Sequence, residues 1–155
     1  MKKTMQEAFQ DFYPDDTSYC YGCGRLNKDG LHIQSRWDGE ESVCVFTPRP
    51  YHIALPGYVY GGLLASLIDC HGTGTAAAAS YRAEKREMDS DPPLRFVTAS
   101  LKVDYLKPTP LGIPLSVRGK VKEIKGRKVV VEITVGAEDQ ICVRGEVVAV
   151  RIPGQ

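Results

Sequence analysis

The sequence has no excess of either charge and no long apolar run. Its 20 Lys and Arg residues nearly balance its 19 Asp and Glu residues, for a formal net charge of +1. A general nucleic-acid-binding protein carries a basic excess, so this balance argues against a nucleic-acid partner. No apolar stretch reaches the roughly 20 residues of a membrane-spanning helix, so we expect no membrane partner either.

The N-terminus also lacks the apolar segment of a secretory signal. The stretch MKKTMQEAFQDFYPDD has two lysines but no continuous hydrophobic run. It instead predicts a short amphipathic helix that stops near Pro14. Without an export signal, we expect a cytoplasmic protein whose five cysteines are free thiols.

A second Cys-x-x-Cys pair is missing as well. The motif CYGCG places Cys20 and Cys23 at a spacing used by zinc sites and redox pairs, but a structural zinc ion needs four ligands. His32 and His52 are candidates to complete such a site. The remaining cysteines fall within predicted strands or the predicted helix: Cys44, Cys70 and Cys142. We favour the alternative, a glycine-rich turn that packs small thiols against the core, and expect no metal.

The chain does contain a hairpin, one long helix and four further strands. LHIQSRW and SVCVFTP flank the turn DGEE and predict the hairpin. A proline-bearing loop leads to a glycine pair and the helical segment, and the polar loop REMDSDPP follows. Four stretches rich in Val and Ile then predict an antiparallel meander: LRFVTASLKVDYLKP, PLSVRGKVKEI, KVVVEITVGA and ICVRGEVVAVRI. With no repeat and no linker, residues 1–155 predict a single α+β domain.

The helical segment GYVYGGLLASLIDCHGTGTA carries one carboxylate, Asp69, within its apolar run. At about 100° per residue, Asp69 shares a narrow polar stripe with Gly62, Ser66 and Thr73, while apolar side chains cover the other directions. Asp69 is therefore either a structural carboxylate satisfied by its neighbours or a functional group. His71 lies on the opposite side and is typical of a core or interface histidine.

Two glycines, Gly61 and Gly62, lie where the loop enters the helix, roughly two turns before Asp69. Unpaired amides at a helix N-terminus carry positive potential, and glycine lets a ligand approach them closely. Such amides can stabilise a developing oxyanion. An oxyanion donor and a carboxylate on one helix face are the groups needed to hydrolyse an acyl ester or thioester.

The stretch GYVYGGLLASLID resembles the entry to the central helix of the hotdog-fold acyl-CoA thioesterases, in the branch similar to phenylacetate-pathway enzymes. Members of that branch read H-x-G-x-x-H-G-G before an apolar run to Asp. CYGCGRLNKDGLHI, TASLKVDYLKPTP and KGRKVVVE resemble further segments of the family, in the family's order. The resemblance implies a long helix wrapped by an antiparallel sheet, and self-association as a dimer or a dimer of dimers. It also implies an acyl-CoA substrate, with no cofactor beyond the coenzyme A of that substrate.

The resemblance further implies roles for individual residues. Asp69 matches the general base or nucleophile, and Gly62 matches the glycine whose N–H binds the thioester carbonyl. Thr98 matches a hydroxyl residue that is contributed across the dimer interface to orient water. Arg127 and Lys128 match basic residues near the coenzyme A nucleotide. Further expected substrate-binding residues lie around these on the helix and the next strand: Tyr60, Gly61, Ser66, Thr73 and Asp104.

Alternation along the strand after the helix places Val97, Leu101 and Tyr105 on one face and Thr98 and Asp104 on the other. We expect the polar face to form a subunit interface or a wall of the site, with plain solvent exposure as the alternative. For the KGRK turn, the alternative to phosphate binding is a solvated basic hairpin.

The chain departs from the family pattern in two places. Leu55 and Tyr60 stand where the family often has two histidines, so the acyl pocket or the preferred substrate can differ. The polar stretch 83–93 is longer than the usual connection and is a candidate border of the acyl pocket.

Two other functions stay open: a non-catalytic acyl-CoA-binding hotdog protein, and a hydratase-type hotdog enzyme. The hydratase reaction normally needs a histidine near the carboxylate on the site face. His71 is expected to point away from that face.

Overall fold

The computed structural model describes residues 7–153, which form one long helix packed on a six-stranded antiparallel sheet. Two short 3-10 helices come first, Phe9–Phe12 and Asp15–Thr17. The strands and the helix then follow in this order: β1 (Arg36–Asp38), β2 (Glu41–Phe46), α1 (Gly61–Ala83), β3 (Arg95–Tyr105), β4 (Leu115–Lys125), β5 (Lys128–Ala137) and β6 (Gln140–Ile152). The predicted α+β arrangement of the hotdog type is confirmed. Part of the predicted N-terminal helix lies outside the described residues; within them, a single 3-10 helix precedes Pro14.

The strands lie in the order β1-β2-β4-β5-β6-β3. The predicted hairpin is confirmed, and β4, β5 and β6 form a meander. The prediction of a four-strand meander is wrong in one respect, because β3 pairs with β6 and not with β4. Segment 106–114 crosses back over three strand spacings, about 14 Å, and β2 occupies the place beside β4.

The third strand, β3, is an edge strand with a bulge. The register shifts between Thr98 and Ser100, so the uninterrupted alternation predicted for this strand is wrong. Thr98 lies opposite Ala149 and Leu101 lies opposite Val147, and both of these partners are fully buried. Since residues directly opposite each other in a ladder share a face, Thr98 and Leu101 both lie on the side that faces α1.

The helix α1 packs against β3, β4, β5 and β6, and its apolar side chains, such as Leu63 and Leu67, are buried. The predicted polar seam is confirmed, because Ser66, Asp69 and Thr73 are only half-buried, whereas the apolar side chains that cover the other directions, such as Leu64 and Ile68, are buried. Within residues 7–153, no helix is both long enough and apolar enough to cross a bilayer.

His71 is a fully buried core residue, as predicted. Its Nδ1 lies 2.8 Å from the Ser35 hydroxyl, and its Nε2 lies 2.9 Å from the Ser42 hydroxyl. Burial disfavours the charged imidazolium and lowers the pKa of His71 to about 4, although a hydrogen bond with the Ser42 backbone opposes the shift.

Because His71 is buried in its neutral form, we expect the protein to lose stability in mild acid. The unfolded chain protonates His71 near pH 6.5 and the folded chain only near pH 4, so between these values the unfolded state binds more protons. The free energy of unfolding should therefore fall as the pH drops through this window, by up to about 3 kcal/mol. Urea unfolding at several pH values measures it. A His71→Gln variant is expected to be less stable at pH 7 but to show a flatter profile, and equal slopes in both proteins would contradict the assignment.

Candidate active site

Asp69 borders a cavity of about 290 Å³ between α1, the start of β3 and the N-terminal segment. Most of the lining is apolar, including Tyr81, Leu94 and Phe96. The polar stretch 83–93, expected as a border of the acyl pocket, contributes Met88 to the lining. The carboxylate thus lies in the wall of a space suited to an apolar group.

A chain of hydroxyl groups holds the carboxylate. The Thr98 hydroxyl donates to Asp69 Oδ1 at 2.5 Å, and Thr73 Oγ1 lies 2.9 Å from Thr98 Oγ1. Because Thr98 directs its single proton to the carboxylate, Thr73 is the donor in the second hydrogen bond. Asp69 Oδ2 accepts no hydrogen bond from residues 7–153, so it is available to a water or a substrate in the cavity.

The expected position of Thr98 across a dimer interface is corrected by this contact, because Thr98 and Asp69 belong to the same chain. β3 packs directly on α1, and the bulge after Thr98 leaves its hydroxyl on the helix side. Asp104, expected near the substrate, falls on the other face of β3. It lies 3.8 Å from Lys102 and borders a separate surface depression with Arg118 and Arg144, so the structure does not bring Asp104 to Asp69.

The glycine pair opens α1 as predicted. The N–H groups of Leu63 and Leu64 donate to the Tyr60 carbonyl, whereas the amides of Gly61 and Gly62 donate to no atom within residues 7–153. Two unpaired donors therefore lie at the positive end of the helix dipole.

These amides do not reach Asp69 within one chain. Gly62 precedes Asp69 by two turns of α1, or roughly 10 Å at 1.5 Å per residue. One carbonyl group must lie about 3 Å from both its oxyanion donor and the group that attacks it, so this separation is too large. The expectation that the two groups act together on one helix face is therefore corrected by the length of the helix between them.

The other residues expected on this part of the helix lie near the glycine pair. Tyr60 is 58% exposed, and its ring covers Gly62, where an added Cβ would come within 2.4 Å of it. The Tyr105 hydroxyl donates to the Gly61 carbonyl at 2.7 Å, and Ser66 donates to the Gly62 carbonyl at 2.9 Å. Tyr60, Gly61 and Ser66 are not part of the lining of the Asp69 cavity.

Arg127 and Lys128 lie at the exposed turn between β4 and β5. The Lys128 amine is 3.9 Å from a Glu123 carboxylate oxygen, a weak exposed pair. Lys128 lies opposite Val150 of β6, and Val150 lies opposite Val97 of β3. The turn is therefore level with the start of β3 and two strand spacings, about 10 Å, away from it across the sheet. The turn is outside the cavity but at the same end of the sheet.

Three cysteines that sequence reasoning did not connect lie together at the cavity wall. The Sγ atoms of Cys20, Cys23 and Cys70 are within 4.8 Å of one another, and all three residues line the cavity. Hydrogen bonds from the Cys23 and Cys70 thiols hold the pKa of Cys20 far below its ordinary value. The sequence did indicate that Cys70 lies near the site, because it follows Asp69 directly and is therefore only about 100° around the helix from the polar seam.

The prediction of free thiols is confirmed for all five cysteines. The histidines considered as further zinc ligands are engaged elsewhere. His32 Nε2 contacts the Asn27 carbonyl at 2.5 Å, and His52 Nδ1 accepts from the Arg49 backbone N–H at 2.9 Å. Tyr13, from the N-terminal segment, also lines the cavity, and burial raises its pKa; no sequence pattern pointed to it.

The segment that runs from the loop before α1 into β6 identifies the family of this chain. Residues 56–144, more than half of the chain, match the profile of the thioesterase superfamily. The chain belongs to this family. The match includes α1, with its glycine pair and Asp69, together with β3 and Thr98.

The curated relatives of this superfamily member include acyl-coenzyme A thioesterases. The chain is 34% identical over 110 residues to THEM4 of Xenopus laevis, covering 71% of this chain and 44% of the relative. It is 33% identical over 101 residues to THEM4 of Mus musculus, covering 65% of this chain and 38% of the relative. The chain thus spans less than half the length of these relatives.

Solved structures give the same family and fold. A thioesterase superfamily protein from Shewanella loihica PV-4 is 47% identical, with a TM-score of 0.69 over 91% of this chain and 100% of that chain. The PaaI protein from the phenylacetic acid degradation operon of E. coli has a TM-score of 0.65 at 19% identity, over 81% of this chain and 83% of that chain. The second likeness shows the shared fold alone.

Proposed function

We propose that this protein hydrolyses the thioester bond of an acyl-CoA, with Asp69 as the general base or the nucleophile. One observation carries the proposal: Asp69 has one oxygen held by Thr98 and the other free, at the wall of a mostly apolar cavity. Membership of the thioesterase superfamily and the acyl-coenzyme A thioesterases among its relatives support it.

In the proposed reaction, the apolar part of the cavity holds the acyl group and places its carbonyl carbon near Asp69. Asp69 Oδ2 accepts a proton from a water molecule whose oxygen bonds to that carbon, or Oδ2 itself forms the bond and water later releases the acid. The carbonyl oxygen gains the negative charge, which a Gly62 N–H stabilises. The C–S bond then breaks. In the general-base route the coenzyme A sulfur leaves as a thiol with the proton that Asp69 took from water. In the nucleophile route it leaves as a thiolate, and the water that later cleaves the acyl–Asp69 anhydride supplies the proton. This chemistry needs no metal or organic cofactor.

The Gly62 amide in this site comes, in our proposal, from a second copy of the chain. Within one chain it is about 10 Å from Asp69, and β3 offers a surface for the second copy. The outer edge of β3 has no strand partner among residues 7–153, and Val97, Leu101 and Tyr105 are between 40% and 54% exposed there. A long edge strand with exposed apolar side chains favours pairing with another chain.

We therefore expect a homodimer, or a dimer of dimers, in solution. Light scattering at micromolar concentration should give about two or four times the 17.1 kDa mass of the chain. A monomer with full thioesterase activity would contradict both the assembly and the two-chain site.

Arg127 and Lys128 are proposed to bind coenzyme A phosphates. Changing both to Ala should raise KM and leave kcat nearly unchanged, because contacts remote from the reacting bond stabilise substrate and transition state alike. The effect should shrink as the salt concentration rises. A Lys102→Ala/Lys120→Ala variant removes the same charge from the separate surface depression that Asp104 borders, away from the turn, and serves as the control. An unchanged KM in a folded Arg127/Lys128 variant would identify the turn as a solvated surface.

A turnover screen tests the function as a whole. Aliphatic and aromatic acyl-CoAs are supplied, and the released thiol is measured; we expect turnover of at least one class. Binding of acyl-CoA without thiol release would identify the non-catalytic alternative. The hydratase alternative is not favoured, because His71 is buried on the far side of α1 and hydrogen-bonded to two serines.

A further inference from the structure

The three clustered cysteines have the geometry of metal ligands. The Cys20 and Cys70 sulfurs are 3.9 Å apart, and Cys23 completes a set whose sulfurs all lie within 4.8 Å of one another. A zinc ion that binds sulfurs tetrahedrally at about 2.3 Å separates them by about 3.8 Å. We propose that Cys20, Cys23 and Cys70 bind Zn²⁺, with the fourth position taken by water from the cavity.

The Cys-x-x-Cys turn is shaped around the sulfur of α1. A Cβ at Gly22 would lie 2.3 Å from Cys70 Sγ, so only glycine allows the turn to approach the helix this closely. The Gly24 N–H closes the turn by donating to the Cys20 carbonyl at 2.8 Å. The turn is therefore closed on itself and packed directly against the helix that carries Cys70.

The fold supplies a third metal ligand that the Cys-x-x-Cys motif lacks. A lone Cys-x-x-Cys offers two ligands, and α1 provides the third in Cys70. Three protein ligands and one exchangeable position are typical of zinc sites that stay open, whereas closed structural sites have four protein ligands. The three cysteines border the cavity that Asp69 borders, so the exchangeable position is open to the contents of that cavity. The site does not depend on Asp69 being catalytic.

A competing state of the same cysteines is a disulfide. A disulfide bond requires about 2.05 Å between sulfurs, whereas Cys20 and Cys70 are 3.9 Å apart and every cysteine is free. The reduced cluster is therefore the state to test with metal.

The experiment titrates the reduced, metal-free full chain with Co²⁺ and then with Zn²⁺, without oxygen. We expect one Co²⁺ per chain, with thiolate-to-metal charge-transfer absorption and the intense visible bands of a tetrahedral site, and displacement by one equivalent of Zn²⁺. Cys70→Ser and Cys20→Ser should each weaken Zn²⁺ binding by more than about 100-fold. Cys142→Ala, which removes a buried thiol elsewhere, should leave it unchanged.

Three results would overturn the site: no thiolate charge-transfer band, no loss of binding in the Cys20 and Cys70 variants, or equal loss in Cys142→Ala. Formation of a Cys20–Cys70 disulfide that saturating Zn²⁺ does not prevent would also overturn it. Circular dichroism confirms that each variant is folded. Because Cys20 is exposed, Cys20→Ser tests the site even if Cys70→Ser fails to fold.

Discussion

Replacement of Asp69 by Asn is expected to lower kcat by about 10²–10⁴-fold without unfolding the protein. The amide has the shape of the carboxylate, and its oxygen still accepts the Thr98 hydrogen bond, but it cannot take a proton from water or form an acyl intermediate. The loss corresponds to roughly 3–5 kcal/mol of activation free energy, and it is larger if Asp69 is the nucleophile. KM should change little, because the acyl cavity and the basic turn are unaltered.

The midpoint of thermal unfolding and kcat are measured on the same Asp69→Asn preparation. A purely structural Asp69 predicts the reverse pattern, a lowered midpoint with nearly normal turnover in the folded fraction. Asp139→Asn is the matched control, since it makes the same change at the exposed turn between β5 and β6, outside the cavity. A folded Asp69→Asn protein with wild-type kcat would support the acyl-CoA-binding alternative.

Replacement of Gly62 by Pro is expected to lower kcat by about 10²–10³-fold, because it removes the N–H proposed to stabilise the oxyanion. Gly62 lies in the first turn of α1, where its N–H has no partner within the helix, so the loss of the N–H breaks no helix hydrogen bond. Gly62→Ala keeps the N–H and is the control. Its Cβ would crowd the Tyr60 ring at 2.4 Å, but that side chain is exposed and has room to rotate. Similar kcat values for the Pro and Ala variants would remove Gly62 from the mechanism.

The two inactive variants also test whether the site spans two chains. If Gly62 of one chain acts with Asp69 of the other, an Asp69→Asn/Gly62→Pro mixed dimer contains one intact site and one doubly altered site. Random assembly makes half of the dimers mixed, so co-refolding equal amounts should restore about one quarter of wild-type activity. No recovery, with mixed dimers demonstrated by mass, would contradict the two-chain site.

Local patterns in the sequence were sufficient for most of the elements. Runs of Val and Ile predicted the strands, and the angular positions of Ser66, Asp69 and Thr73 predicted the half-buried seam of α1. The buried state of His71 followed from the same helical geometry. These properties depend on residues a few positions apart, for which the periods of helix and strand are known.

The register of β3 and the distance between the residues of the site were harder to predict from the sequence. The bulge after Thr98 reversed the predicted facing of half of β3, because one extra residue in a ladder exchanges the two faces beyond it. The two-turn separation of Gly62 from Asp69 was visible in the sequence, but their shared helix face obscured that two turns of a helix are too long for both groups to act on one carbonyl.

By itself, then, the sequence determined the α+β class, the long helix and the carboxylate on its polar seam, since each depends on local periodicity and on residue type. The tertiary structure alone decided that β3 pairs with β6, that Thr98 holds Asp69 within one chain, and that Cys70 joins Cys20 and Cys23. Each of these contacts joins residues 25 or more positions apart in the chain. Such contacts are decided by which surfaces pack against one another, and no short-range pattern records that choice.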